Sequence, residues 1–139
     1  MKPTRSNMNI KKTGSKVLGN REHAFIIEEL DNNYKTFTMY NKNNEELLKF
    51  INCNIIDRDY SELINKLESN ESFYGAEIME KLENNYKYEI TVTYVPLCDY
   101  DDTCLYFNWS DKLSASAHAS PFKITKDDLF NLLNIIKDI

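Results

Sequence analysis

Between Tyr86 and Val95 the chain alternates in two-residue steps, with Tyr88, Ile90, Val92 and Tyr94 interleaved with Glu89, Thr91, Thr93 and Val95. That period belongs to an extended strand with one buried face, and its β-branched and aromatic content suits a pleated surface. Such a strand needs neighbours. Pro96 ends or edges it, Asp99 to Asp102 form a turn, and Leu105, Phe107 and Trp109 opposite Tyr106, Asn108 and Ser110 resume the alternation, which predicts an antiparallel hairpin.

A second hairpin is predicted earlier. Ala24 to Leu30 and Tyr34 to Tyr40 are β-rich runs separated by Asp31-Asn32-Asn33, residues that tolerate turn conformations. Phe37 and Met39 share one face of the second run. Three helices are expected between the hairpins. Asn43 with Glu46 resembles a capping box before Leu47, Leu48 and Ile51, with an end near Asn52 or Asn54. Asp59 to Glu62 repeats the start signal before Leu63, Ile64 and Leu67, and Ser72 precedes a third set, either Ala76, Met79 and Leu82 or Ile78 and Leu82. Ser114 to Ser120 reads as a loop or a poor edge strand, and Thr125 caps a last helix with the stripe Leu129, Leu132, Leu133 and Ile136. The expected class is α+β: two antiparallel hairpins forming a four- or five-stranded sheet, helices packed on one face, in the order ββααα-ββα.

At 139 residues the chain suits one core. Its charge is uneven. Residues 1–23 carry six basic side chains against Glu22 alone, a net +5, and the remainder carries 11 basic against 21 acidic, a net −10. Residues 1–22 have no useful apolar period and are expected to be a flexible basic tail, leaving 23–139 as a single acidic α+β domain. An acidic surface repels nucleic-acid phosphates and favours basic proteins as partners. No stretch approaches the roughly 18 apolar residues of a membrane-spanning helix, and the basic N-terminal residues lack the apolar run of a secretory signal, so the expectation is a cytoplasmic protein without membrane contact. An odd, sparse set of cysteines (Cys53, Cys98 and Cys104) fits no disulfide framework, and the abundance of Asn, Lys and Ile matches an AT-rich genome.

Candidate chemistry is thin. Asp99, Asp101 and Asp102 would bind a hard cation if their spacing matched a calcium loop, but the sixth and twelfth places from Asp99 hold Cys104 and Ser110 instead of Gly and Glu. His23 and His118 lie too far apart in sequence for a zinc motif, and no Gly-rich phosphate loop or nucleophile elbow exists. No cofactor, metal or catalytic residue is therefore assigned. Aromatic side chains offer large contact area at small entropic cost. The function expected from these features is a small acidic protein-binding inhibitor, of the immunity or anti-defence type carried by phages and mobile elements. It would block a basic nuclease or toxin through Asp99, Asp101, Asp102, Tyr94, Tyr106 and Trp109. The alternative is a metal-assisted hydrolase or transferase using the Asp99–Asp102 cluster with His118.

Overall fold

The computed structural model describes residues 11–14, 22–30, 32–96, 101–111 and 117–139. Its elements are β1 (Lys11–Gly14), β2 (Ala24–Glu29), β3 (Lys35–Tyr40), β4 (Glu46–Ile55), α1 (Tyr60–Glu68), β5 (Phe73–Glu83), β6 (Tyr86–Pro96), β7 (Asp101–Asp111), β8 (Ala117–Lys123) and α2 (Lys126–Lys137). Every strand is antiparallel to the next and the sheet order follows the chain from β1 to β8, a meander of seven longer strands with the short β1 along one edge. Within the expected basic tail, Lys11–Gly14 form β1 against Ile26–Glu29 of β2, while residues 1–10 and 15–21 lie outside the described residues.

The expected sheet of four or five strands, with three helices between the hairpins and one at the end, is thus corrected to a mostly-sheet fold with two helices. Both errors fall on bulged strands. In β4 the inward residues are Leu48, Phe50 and Cys53, because Asn52 adopts φ 53° and shifts the alternation by one. Leu47 and Ile51, assigned to a helical stripe, point outward and are exposed. In β5 the register slips between Phe73 and Ala76 and again between Glu77 and Met79, so Phe73, Ala76 and Met79 fall inward at every third position and imitate a helix, while Ile78 is buried as well and Leu82 of the expected stripe is exposed. Gly75 sits in the first slip at φ +57°. A Cβ there would meet nothing within 4 Å, so its backbone conformation, not space, is what favours glycine.

The first hairpin, the strands of the second and both remaining helices are as expected. Asp59 caps α1 by accepting from Glu62 N–H at 3.3 Å. Thr125 caps α2 in a reciprocal box with Asp128. The two helices pack against each other, and their apolar faces join Phe25, Ile27, Phe37, Met39, Ile78, Ile90, Val92, Tyr94 and Leu105 in one core. No helix among the described residues is long and apolar enough to cross a membrane.

Asp128 does more than complete the cap. Its carboxylate, fully buried, accepts from Glu22 N–H at 2.7 Å, His23 N–H at 2.9 Å, Thr125 N–H at 2.9 Å and the His23 ring Nδ1 at 2.8 Å. Burial works to raise its pKa, but these donors outweigh that cost and hold it below the ordinary aspartate value. The entry to β2 is thereby fastened to the first turn of α2. Asp128→Asn should destabilise the fold by about 2–4 kcal/mol at pH 7 in urea unfolding, because several donors lose a charged acceptor in a buried site. Because the folded pKa is depressed, the wild-type contribution is present above the unfolded value near 3.9 and is lost as pH falls through the folded one. The gap between variant and wild type should close over that acid range, and a constant gap would remove the carboxylate from the account.

β8 ends the sheet, and its exposed edge is protected by one residue. Ile124 N–H donates to Thr103 C=O at 3.1 Å, and β7 and β8 pair without a register shift, so the amides of Phe122, Ser120 and His118 face β7 and position 121 faces outward. Pro121 removes a donor at that outward place. Pro121→Thr should restore it and promote self-association, seen as a larger mass increase with concentration than wild type in light scattering; a mass equal to that of wild type would mean that the edge is guarded otherwise.

Candidate functional site

Burial along the β6–β7 ladder fades from one end to the other. Tyr94, Val92, Ile90, Thr103 and Leu105 are buried beneath the helices, whereas Tyr86, Tyr88, Phe107 and Trp109 on the same inner face are only half-buried. Those half-buried rings form a connected row. Phe50 meets Phe107 edge-on at 5.6 Å, Phe107 stacks on Tyr88 at 6.2 Å, Tyr88 lies 6.2 Å from Tyr86, and Tyr86 meets Trp109 edge-on at 5.9 Å. Trp109 in turn stacks on its cross-strand partner His118 at 4.2 Å and 17°. Such pairs contribute about 0.5–1.5 kcal/mol each beyond their burial, so the row is rigid enough to act as a surface.

Charge is arranged around it. The Lys81 ammonium lies 5.3 Å from the Phe50 ring centre and 5.4 Å from that of Tyr88, with its side chain only 15% exposed. Glu83 stands 3.8 Å from that ammonium. The ladder places Glu83 and Asp111 directly opposite Tyr86 on its two sides, so one aromatic position is flanked by two carboxylates on the same face.

The outer face carries a second feature, a pair of carboxyls. Burial first, and then a hydrogen bond and repulsion from Glu77, raise the Glu89 pKa; the bond to Glu89 first, with Lys87 assisting, lowers that of Glu77. Lys87 Nζ lies 3.6 Å from Glu89 and 3.7 Å from Glu77. One proton is therefore held more tightly at Glu89 than an isolated glutamate would hold it. Lys87, Glu89, Asn108, Ser110, Ala117 and Ala119 line a shallow depression of about 350 Å³ on this face, over the strand segment that carries Trp109 and His118 on the other, and the small side chains among them leave that space open.

The residues expected to bind a partner are not brought together. Asp99 lies outside the described residues, while Asp101 and Asp102 pair with Pro96 and Val95 at the far end of β7. Trp109 is seven residues from Asp102 along that strand, about 23 Å at a rise of roughly 3.3 Å per residue. Tyr94 is fully buried, its hydroxyl bonded to Asn70 Oδ1 at 2.9 Å, and Tyr106 occupies the outer face. His118 pairs with Trp109, so Asp101, Asp102 and His118 stand at opposite ends and share no reaction centre. Among the described residues no three His, Cys, Asp or Glu side chains converge on a place for a metal ion. Cys53 is buried, which pushes its thiol up to about 11, and Cys98 lies outside the described residues. Of the residues singled out from the sequence only Trp109 lies in the aromatic row, and Tyr86, Tyr88, Lys81 and Glu83, whose association depends on strand register, were not among them.

Glu89→Gln should leave the fold as stable as wild type or more stable at pH 7, since it mimics the protonated form and removes the repulsion from Glu77. A raised folded pKa contributes stability below the unfolded value near 4.3 and loses it as pH rises through the folded one. The advantage of the variant should therefore shrink as pH falls toward 4.3 in denaturant titrations; marked destabilisation at pH 7 would show that Glu89 is needed as a carboxylate.

No family model, no curated protein and no solved structure matches the chain, so any function has to be argued from this site and from the charge around it.

Proposed function

We propose that this chain is a protein-binding module that engages a basic protein and blocks it by occupancy, in the manner of an inhibitor or immunity-type partner of a nuclease or toxin. The observation that carries this reading is the half-buried aromatic row of Tyr86, Tyr88 and Trp109 beside carboxylates, on a domain whose residues 24–139 carry 11 basic against 21 acidic side chains. Aromatic residues anchor interfaces by burying large area with few torsions, and net negative charge speeds encounter with a cationic surface while disfavouring nucleic acid. The action requires no bond to be made or broken. The far separation of Asp101 and Asp102 from His118 leaves the hydrolase alternative without a shared centre.

Association kinetics with a captured partner provide the test. Tagged protein incubated with extract of the cells that encode it should retain one or a few basic proteins, and the association rate of each should fall steeply with added salt while dissociation changes little. Retained partners that are acidic or neutral, or association rates insensitive to salt, would overturn the reading.

A further inference from the structure

The aromatic row already binds one cation of its own. Lys81 projects from β5 onto the inner face, where its ammonium sits between the rings of Phe50 and Tyr88 with Glu83 at 3.8 Å. Attraction of an ammonium to a ring face is strengthened when water is partly excluded, and the 15% exposure of Lys81 meets that condition. One rung further out the same ingredients recur. Tyr86 is half-buried, Trp109 meets it edge-on at 5.9 Å, and Glu83 and Asp111 stand opposite it on the neighbouring strands. The Glu83 side chain is 56% exposed, and its 3.8 Å approach to Lys81 is too long to saturate a carboxylate that can accept several donors.

We propose that Glu83 and Tyr86, with Trp109 of the adjacent rung against the Tyr86 ring, form a recognition site for a single lysine or arginine side chain of a basic partner, seated on the Tyr86 ring as Lys81 is seated on Tyr88. This rests on the reading of the protein as a binder of basic proteins and gives that reading a location. An arginine suits the place better than a lysine, because a planar guanidinium stacks on the ring while its edge donates to the flanking Glu83 carboxylate. The neighbouring His118 keeps Trp109 fixed by stacking on its other flank, so the site is formed before the partner arrives.

Trp109 is the sole tryptophan of the chain and lies 5.9 Å from Tyr86, so its emission reports on the surroundings of this site. The folded full chain is titrated with an acetylated, amidated hexa-arginine peptide, with a hexa-citrulline peptide as the uncharged control, and binding is followed by tryptophan fluorescence and calorimetry together. The expected result is a saturable change in emission with hexa-arginine and none with hexa-citrulline. Affinity should fall about tenfold in Glu83→Gln and in Tyr86→Leu, and should be unchanged in Glu68→Gln, an exposed acidic position on α1. Circular dichroism checks that each variant keeps its fold, and the exposed Glu83→Gln stands if Tyr86→Leu does not. Calorimetric binding that survives both ledge variants and leaves the emission unmoved would overturn the site while leaving a basic-partner function in place. No binding of hexa-arginine at low salt by either method would overturn both.

Discussion

Two short helices have to cover one face of a long antiparallel meander, and that requirement governs the rest of the molecule. A flat sheet would offer them a broad plane and leave most of its apolar side chains wet. The strands bend instead at bulges, where one extra residue is accommodated by a left-handed backbone: Asn52 in β4 and Gly75 in β5. At this bend β4 and β5 are joined only through Asn54 and Ile55 against Glu80 and Met79, with Ile56 N–H donating to Ile78 C=O at 2.9 Å. α1 fills the connection across this narrow junction, and Tyr60 secures it by donating its hydroxyl to the carbonyl of Ile56, with Ile78 C=O at 3.3 Å. The Asp128 carboxylate then closes the other side of the structure by holding the start of β2 to α2.

How legible this was depended on which period each segment obeys. β6 and β7 pair over eleven residues without a slip, so their alternation was plain in the sequence. The helices α1 and α2 announced themselves through Asp59 and Thr125, whose side chains satisfy amides that no carbonyl can reach. β4 and β5 concealed themselves because a bulged strand shifts its inward positions from every second to every third residue, which is close to a helical stripe. A signal against the helices was nevertheless present. Asn32-Asn33, Asn43-Asn44 and Asn84-Asn85 each lie at a hairpin turn, and Asn33, Asn44 and Asn84 have positive φ. Asparagine reaches the left-handed region more readily than other side-chain-bearing residues, so in a chain with three glycines it takes the role usually given to Asn-Gly. The first of these doublets suggested a turn. The second was absorbed into a helix cap that does not exist, where Asn41 Oδ1 instead accepts from Asn43 and Glu45 N–H at 2.9 and 3.0 Å.

The candidate site was only half legible for a different reason. Composition gave the acidic excess and the aromatic richness, and Trp109 stood out as the single tryptophan. Which carboxylates and rings share a face is a matter of strand register, and register between β5 and β6 follows from two bulges that composition does not reveal. The acidic run near the β6–β7 turn drew attention by its density, yet strand length carries it far from Trp109. Density along the chain and proximity in the fold are separate quantities.

The length of the elements explains why an aromatic ledge exists at all. α1 and α2 have nine and 12 residues, which at about 1.5 Å per residue gives rods of roughly 14 and 18 Å. β6 and β7 have 11 residues each, which at about 3.3 Å per residue extend roughly 36 Å. Helices of that size cannot cover the inner face of such strands from end to end. Beyond Ile90 and Leu105 the sheet shields itself, with Tyr88, Phe107, Tyr86 and Trp109 packing on one another instead of on a helix. Rings suit this work because they bury much of their area against neighbours while a face or polar tip stays in contact with water. The same economy leaves π-faces within reach of a cation, and the Lys81 ammonium lies against two of the rings. In the proposed reading it is this uncovered strand end, rather than a dedicated pocket, that recognises charge.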